Sequence, residues 1–498
     1  MRNKLLQRFP TLKITSVGDE HPIYTYTEAS VLVAEHPVKS SFGILYVDFG
    51  MDMSVINLDD LSLVPLLARL MVESGTSKLD DVHLARRIGA KTGGINIKTR
   101  VEAILPSKVE DDAFVVPDGN LLETKLFFRA KCTKEQVSEL FSLYREILFD
   151  GREFSKEKTL TILKEMIDDL QDSIGEDGDL FVARRIAARY TVYGYIKEQL
   201  EGITHLQKLK EALETAESDF GVLWAKLNRM KRALIEGHRN GMILNLTGEK
   251  QLLVHTQEDA ILFVTNGIPL NEDATPFPNF AEEEHPWVAQ AKEDMPLLAP
   301  LTDEGIIIPT SVSYVGGGGV LYSRGEPIHG SAAVITMYLE RGYLYENLRL
   351  ARGAYGAYAR LRKYSGMLDL LTYRDPNLVE TLRIYDGAFA ALTEDIASSE
   401  TLPPEAKGTI IGAIGVLDGS APQPDQLGWD SLGQHLRRET SKMRQAWRDE
   451  ILGTTRDDFL NFSNRLSEMM NASIAVVSSQ AAIEDAQTQG VNLELVLV

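Results

Sequence analysis

The sequence predicts an α+β protein made of two similar domains, each a mainly antiparallel sheet packed with helices. Short segments with alternating apolar residues are followed by longer segments in which apolar residues recur every three or four positions. The same order of strands and helices returns after a proline-rich, acidic stretch at residues 266–300. A repeat of roughly 200 to 250 residues is longer than a solenoid unit, so it indicates two duplicated domains.

The first half is predicted to begin with strands at about residues 30–34 and 43–49, where apolar residues alternate. A helix follows with Asn57 as its cap and with a kink at Pro65, and a shorter helix spans about residues 79–90. The later elements of this half are strands at 95–105 and 121–130, a long helix with an apolar face at Leu160, Leu163, Ile167, Leu170 and Ile174, further helices, and a closing strand at 242–246.

The second half repeats this plan, with strand residues at 305–314 and then a helix capped by Ser331. That helix carries Met337, Leu344 and Leu348, and after a small-residue turn a two-strand hairpin passes through Ser365 and Gly366. Asp375 as cap and Pro376 at the first position start another helix, and closing strands are expected at 474–477 and 493–498. The helix-to-strand junction at 85–94 corresponds in position to the junction at 348–355, which is the most telling sign of duplication.

Composition restricts the classes of function. The chain has 52 Lys and Arg against 72 Asp and Glu, a formal charge of −20 that repels nucleic-acid phosphates and anionic lipid and attracts cationic peptides. No run of 18 apolar residues occurs, so no membrane span is expected. Its one cysteine, Cys132, excludes an internal disulfide and a cysteine-rich zinc module, and leaves the compartment open.

Motifs for catalysis by this chain alone are missing. None of the nine histidines starts H-E-x-x-H or the inverse H-x-x-E-H, the helical spacings with which zinc peptidases hold metal and base. Glu282–His285 is expected to be a solvated part of the linker. His329–Ser331 lacks the G-x-S-x-G elbow of serine hydrolases, so Ser331 is expected to be a helix cap. The run Gly316–Gly319 is predicted to be a mobile edge, where an extended peptide could pair as an added strand.

Residues 349–377 are the most informative stretch of the sequence. Arg349 is expected at the end of a helix, where an arginine ordinarily complements the helix dipole. Tyr355 is expected at the start of a strand, where a tyrosine ordinarily packs against the core with its hydroxyl at the surface. Spacing alone favours these structural roles over a functional one.

Six motifs spread over most of the chain carry a resemblance to a known family. They are Phe9–Lys13, Lys91–Gly94, Ser313–Gly316, Gly353–Gly356, Tyr373–Asn377 followed by Thr381 and Leu382, and Ala421–Pro424. In these motifs the chain resembles the presequence proteases, a branch of the pitrilysin or insulinase-type zinc peptidases (inverzincins). The resemblance implies that each domain has the pitrilysin-like (LuxS/metallopeptidase-like) fold.

The resemblance also implies a site. Arg349 would hold backbone carbonyls of a peptide and Tyr355 would donate to the oxyanion, with Gly353, Ala354 and Gly356 as further substrate-binding residues. Zinc is not expected to be bound by this chain, and would come from an N-terminal half or subunit that bears H-x-x-E-H. The implied substrates are short, unstructured and often basic peptides such as cleaved presequences. The implied compartment is organellar, the mitochondrial matrix or the plastid stroma, with the cytoplasm as the alternative.

The resemblance divides the chain into four segments. Residues 1–20 would be the remnant of a linker between the halves of a larger protein, so that Met1 would lie inside that protein and not at its start. Residues 21–265 would be the first pitrilysin-like domain, 266–300 a linker, and 301–498 the second domain with the Arg349 and Tyr355 site. Without its zinc-bearing partner the chain is expected to be inactive. The competing hypothesis is a non-catalytic scaffold, because pitrilysin-like folds also serve as structural core subunits of respiratory complexes.

Overall fold

A computed structural model describes residues 23–107, 112–236, 239–268, 282–298, 302–397, 400–419 and 423–498. The predicted segment 1–20 and residues 421 and 422 lie outside these ranges. In the described ranges the strands form two six-stranded sheets, one in each half, and a two-stranded ribbon that joins the halves. The protein is therefore α+β, with the two-sheet plan that the repeat in the sequence predicts.

The first sheet has the order β1-β2-β7-β3-β6-β4 and is antiparallel except where β2 and β7 run parallel. Its strands are β1 (Tyr24–Glu28), β2 (Val31–Pro37), β3 (Ile44–Asp52), β4 (Ile95–Ala103), β6 (Leu122–Thr133) and β7 (Ile243–Gly248), and β5 (Phe114–Val115) belongs to the ribbon. The α-helices of this half are α1 (Val64–Glu73), α2 (Asp81–Lys91), α3 (Val137–Phe149), α4 (Lys156–Glu176), α5 (Gly178–Tyr190), α6 (Val192–Glu201), α7 (Ile203–Ser218), α8 (Phe220–Ile235) and α9 (Lys250–Leu262).

The second sheet has the order β11-β12-β9-β13-β8-β14. Its strands are β8 (Glu304–Ile307), β9 (Tyr314–Val320), β11 (Gly356–Arg362), β12 (Met367–Tyr373), β13 (Met470–Ser478) and β14 (Glu494–Leu497), and β10 (Pro327–Ile328) pairs with β5. The remaining helices are α10 (Trp287–Leu298), α11 (Ser331–Leu339), α12 (Leu378–Ala397), α13 (Pro404–Asp418), α14 (Pro424–Leu436), α15 (Ser441–Leu452), α16 (Arg456–Glu468) and α17 (Gln480–Thr488). Among the described helices, none has both the length and the apolar composition that a bilayer crossing requires.

The two sheets have equivalent topology. Read from the other edge, the second sheet places β8, β13, β9, β12 and β11 where the first places β2, β7, β3, β6 and β4. The parallel pair β2–β7 corresponds to the parallel pair β8–β13, and the three antiparallel pairings that follow also match. Only the outermost strand differs, since β1 is antiparallel to β2 whereas β14 is parallel to β8. The duplicated fold is confirmed, while the predicted domain boundaries stay predictions.

Each half supplies a helix that covers the sheet of the other half. Helix α5 of the first half lies on β9, β12 and β13. Helix α14 of the second half lies on β2 and β7, with Leu432 and Leu436 packed against Phe127 and Ile243. A buried ion pair fixes α5, because Arg185 makes two hydrogen bonds of 2.8 Å to the carboxylate of Glu304 on β8. The halves therefore share one continuous core.

The glycine run is not the mobile edge that the sequence suggested. Gly316–Gly319 lie in β9, which pairs with β12 on one side and β13 on the other, so its backbone is not open to an added peptide strand. The physical reason is close packing: a Cβ on Gly316 would lie 2.2 Å from a methyl of Val182 on α5. The strands expected at 305–314 are β8 and β9, which are separated by residues 308–313.

Three helix predictions need correction. Pro65 does not kink a helix but occupies its first turn, because a 3-10 turn at Leu58–Leu63 passes directly into α1 and proline needs no amide partner there. Ser331 is the first residue of α11 and not its cap, which is Gly330. Asp375 and Pro376 precede α12, which starts at Leu378.

The expected linker at 266–300 also contains structure. Helix α10 occupies its second half, and the Trp287 indole donates to the Ile56 carbonyl at 2.8 Å. His285, expected to be solvated, is buried and lies 3.1 Å from the Thr124 hydroxyl. Burial lowers the pKa of His285 to about 4. A helix with one buried face and a buried tryptophan thus lies in a segment whose proline and acidic content suggested a linker.

Candidate functional site

The site begins where a helix ends. Helix α11 continues into a π-helix at Glu340–Leu350, and Arg349 lies in its last turn. The chain leaves this helix through Gly353, whose φ of +82° favours glycine, and the amide of Ala354 donates to the Leu348 carbonyl at 3.0 Å. Short π-helical segments are frequent at functional sites. The exit turn sets the direction in which the next residues enter β11.

Tyr355 immediately precedes β11 and is held by its backbone. Its amide donates to the Tyr373 carbonyl at 3.1 Å, and the ring of Tyr355 stands edge-on to the Tyr373 ring at 5.8 Å between centroids. The side chain is 66% exposed. A tyrosine that packed against the core would be largely buried, so this geometry departs from the structural role that spacing alone favoured.

Arg349 and Tyr355 lie together, as the resemblance implied. The Arg349 guanidinium is 5.6 Å from the Tyr355 ring centroid and 5.6 Å from that of Tyr345, within the range of cation–π contact. Arg349 is exposed, and no carboxylate among the described residues forms an ion pair with it. An exposed cation without an acidic partner, next to an exposed phenol, is available to a ligand.

The three neighbouring candidates shape the turn. Ala354 is 2% exposed and packs in a cluster with Leu344 and Leu348, so its side chain lies in the core. Gly356 is buried, and a Cβ there would lie 2.5 Å from the hydroxyl of Tyr358. Gly353 has open space around it. Any contact of these residues with substrate stays a prediction, and it would be made through their backbone.

Arg374 lies beside these residues, and the sequence analysis gave it no role. It follows Tyr373 at the end of β12, is exposed, and has a φ of +49°. Its guanidinium lies 5.3 Å from the centroid of the Tyr373 ring, and that ring in turn contacts the ring of Tyr355. The only signal for Arg374 in the sequence was its place in the motif Tyr373–Asn377. That motif supported the family resemblance and was given no functional role.

One cavity lies between the two halves and a second lies within the first half, and Arg349 and Tyr355 line neither of them. One of about 550 Å³ is lined by Arg360 and Arg362 on β11 and by Arg184 and Lys197 on the helices of the first half, with Glu201 among them. The other, of about 660 Å³, shares Arg184 and Glu201 and reaches β4. Strand β11 therefore leads from Tyr355 to an open space between the two halves of the chain.

The other candidates do not assemble into a catalytic group. Within the described ranges, no cluster of three or more His, Cys, Asp or Glu side chains has the arrangement to hold a metal ion, and His21 and His238 lie outside those ranges. The His329 Nδ1 lies 2.8 Å from the Ser331 hydroxyl and 3.8 Å from an Asp458 carboxylate oxygen, so one ring nitrogen faces both groups and no relay forms. Burial raises the pKa of the Cys132 thiol to about 12.

Comparison with known proteins gives consistent matches along the chain. Residues 2–211 match the peptidase-associated family of M16 subfamily C, and residues 303–480 match the "PreP C-terminal domain". Presequence protease 1, chloroplastic/mitochondrial, of Arabidopsis thaliana is 30% identical over 97% of this chain and 41% of its own length. The mitochondrial presequence protease of Mus musculus is 22% identical over 92% of this chain and 43% of its own length.

The fold has solved relatives. The crystal structure of a peptidase M16 inactive domain from Pseudomonas fluorescens superposes with a TM-score of 0.59 at 14% identity, and covers 92% of this chain and 98% of that one. At this identity the likeness shows the fold alone. The chain spans less than half the length of the curated relatives named above. With the peptidase-associated region followed by the PreP C-terminal domain on a pitrilysin-like fold, the chain belongs to the presequence-protease branch of the zinc-dependent M16 peptidases.

Proposed function

We propose that this chain supplies the substrate-binding and oxyanion-stabilising groups of a metalloendopeptidase whose zinc and general base lie on a separate half that bears H-x-x-E-H. The observation that carries this proposal is the exposed pair of Arg349 and Tyr355, whose side chains contact each other and leave the cation without an acidic partner among the described residues. Peptide-bond hydrolysis needs such groups beside a metal site.

The chemistry assigns different roles to the two residues. Attack on a peptide carbonyl develops negative charge on the carbonyl oxygen, and a positioned phenol or guanidinium stabilises that charge. The Tyr355 hydroxyl donates to this oxygen, and the Arg349 guanidinium donates to a neighbouring backbone carbonyl and fixes the strand of substrate. Zinc held by the other half would supply the activated water. In this proposal the part of the present chain is substrate binding and charge stabilisation.

Short, unstructured peptides are the proposed substrates. The net charge of −20 attracts the positive charge that targeting peptides often carry. The matched relatives are named presequence proteases of mitochondria or chloroplasts, which supports cleaved presequences as substrates and an organellar compartment for this chain. The cavity of about 550 Å³ that β11 borders is of a size to take a few residues of an extended peptide.

The test is reconstitution. The purified chain is assayed on a quenched basic peptide alone and after addition of the H-x-x-E-H half, with Arg349→Ala and Tyr355→Phe as variants. We expect turnover only with both halves. Tyr355→Phe should lower kcat/KM by about a hundredfold, since removal of one oxyanion donor costs roughly that much. Arg349→Ala should lower it by about tenfold or more, the loss expected for one charged hydrogen bond to the substrate backbone. Turnover by the lone chain, or full activity of both variants in the reconstituted enzyme, would contradict the proposal.

The same experiment separates this function from a structural scaffold. A scaffold would bind the other half and give no peptide turnover, and it would be indifferent to both substitutions. The exposed phenol of Tyr355, which no scaffold role requires, favours the peptidase.

A further inference from the structure

Arg374 is the second exposed cation of the site. The rings of Tyr355 and Tyr373 meet edge-on at 5.8 Å, with Arg349 on the first ring and Arg374 on the second. The Tyr355 amide also lies 3.4 Å from the Arg374 carbonyl. As for Arg349, no carboxylate among the described residues pairs with Arg374.

The backbone of Arg374 is strained. Its φ of +49° is in the left-handed region, where a Cβ crowds the neighbouring carbonyl oxygen. Glycine is the residue that fits this conformation without strain, and an arginine there gives up stability. A strained, exposed residue at a site points to a use for its side chain.

The turn around Arg374 is fixed on both sides. The backbones of Ser313 and Asp375 exchange hydrogen bonds of 2.7 and 2.8 Å. The buried carboxylate of Asp375 accepts from the Asn377 amide at 2.9 Å and from the Thr381 hydroxyl at 2.6 Å. The neighbouring Tyr314 hydroxyl raises the pKa of Arg374 above its ordinary value. The motif Asp375–Asn377 thus holds Arg374 in place.

We propose that Arg374 binds a carboxylate of the peptide substrate, and so makes the site prefer peptides that carry an acidic side chain or a free C-terminus near the scissile bond. Arginine suits this ligand because its planar guanidinium forms two parallel hydrogen bonds to a carboxylate. The inference rests on the proposed function, and it adds a specificity group that acts on the substrate beside Arg349 and Tyr355.

Binding to the full chain tests this without the zinc half. The probes are labelled, unstructured peptides that carry one Glu, placed at a different position in each peptide, and matched peptides with Gln in its place. Each peptide is made with a free and with an amidated C-terminus. Binding is measured by fluorescence anisotropy. For the best carboxylate peptide, Arg374→Gly should weaken binding about tenfold, the loss expected for one charged hydrogen-bonded contact. The neutral, amidated peptide should bind both proteins equally. A loss confined to Glu peptides identifies a side-chain carboxylate, and a loss confined to free acids identifies the C-terminus.

Arg438→Gly is the matched control. Arg438 also has a positive φ, +62°, and its side chain lies 3.8 Å from the exposed Glu282, at the end of α14 on the first sheet. The control substitution relieves the same kind of strain and removes the same charge, and should leave peptide binding unchanged. Both glycine variants should melt within about 2 °C of the parent chain. Arg374→Lys, which keeps the charge, should recover part of the lost affinity.

Two results would overturn the inference. One is an Arg374→Gly chain that binds carboxylate and neutral peptides as the parent does, and the other is a variant that loses affinity equally for both. The role of Arg374 can fail without the proposed function failing. If Arg349→Ala and Tyr355→Phe abolish turnover in the reconstituted enzyme while Arg374→Gly changes no carboxylate preference, only the role of Arg374 fails.

Discussion

Gly316 shows, at the scale of one residue, how closely the halves approach each other. It lies in the central strand β9 directly under α5, and a Cβ there would meet Val182 at 2.2 Å and Leu371 at 2.9 Å. Both neighbours are fully buried, so neither has space to move. The absence of a side chain at Gly316 is what allows a helix of the first half to cover the second sheet.

Gly316→Ala should therefore lower the free energy of unfolding by about 1–3 kcal/mol, the usual cost of overpacking a core. The control is Gly408→Ala in α13, where a new Cβ meets nothing within 4 Å and the higher helix propensity of alanine should stabilise by roughly 0.5–1 kcal/mol. Chemical denaturation of both variants gives the comparison. If both substitutions changed the free energy of unfolding equally, α5 would pack on β9 less closely than the structure shows.

At the scale of elements, a buried charge cluster joins α5 to β8. Glu304 accepts from Arg185 and from Arg189, whose Nη2 lies 2.6 Å from it, and Arg189 also donates to the Ile474 carbonyl on β13. All three side chains are buried. Burial alone would raise the pKa of Glu304, but the hydrogen bonds and charges of the two arginines outweigh it and hold that pKa below its ordinary value.

Glu304→Gln should cost about 3 kcal/mol of stability, because it leaves the buried Arg189 guanidinium without its counter-charge and leaves Arg185 with Glu198 alone, at 3.4 Å. A lowered carboxyl pKa contributes stability that is fully present above the unfolded value of about 4.3 and is lost as the pH falls through the folded value. The parent chain should thus lose this contribution below about pH 4, and the variant should not. Denaturation curves at several pH values check both points, with Glu380→Gln, in an exposed pair with Arg383, as the control. A Glu304→Gln chain as stable as the control would contradict the account.

At the scale of the whole molecule, local patterns predicted the elements and the duplication. The alternation of β2 and β3 and the apolar face of α4 are properties of neighbouring residues, so they can be read without the fold. Leu163, Ile167 and Ile174 of that face are buried as expected. Arg349 and Tyr355 were singled out by family resemblance and not by spacing, and their roles stay predictions.

What the sequence did not reveal depends on contacts between distant segments. The exchange of α5 and α14 between sheets, the central position of Gly316–Gly319, and the burial of His285 each need a partner more than 100 residues away. Arg374 was missed for another reason: an arginine with positive φ has no composition signal, since glycine and asparagine are the residues that mark such turns.

The central claim is that this chain provides substrate-binding groups and receives its metal from another half. The most direct measurement is the metal content of the purified 498-residue chain, by mass spectrometry, together with its turnover of a quenched basic peptide in added zinc. The account predicts far less than one zinc per chain and no turnover until the H-x-x-E-H half is added. Stoichiometric, tightly held zinc in the chain alone, with turnover that survives Arg349→Ala and Tyr355→Phe, would contradict it.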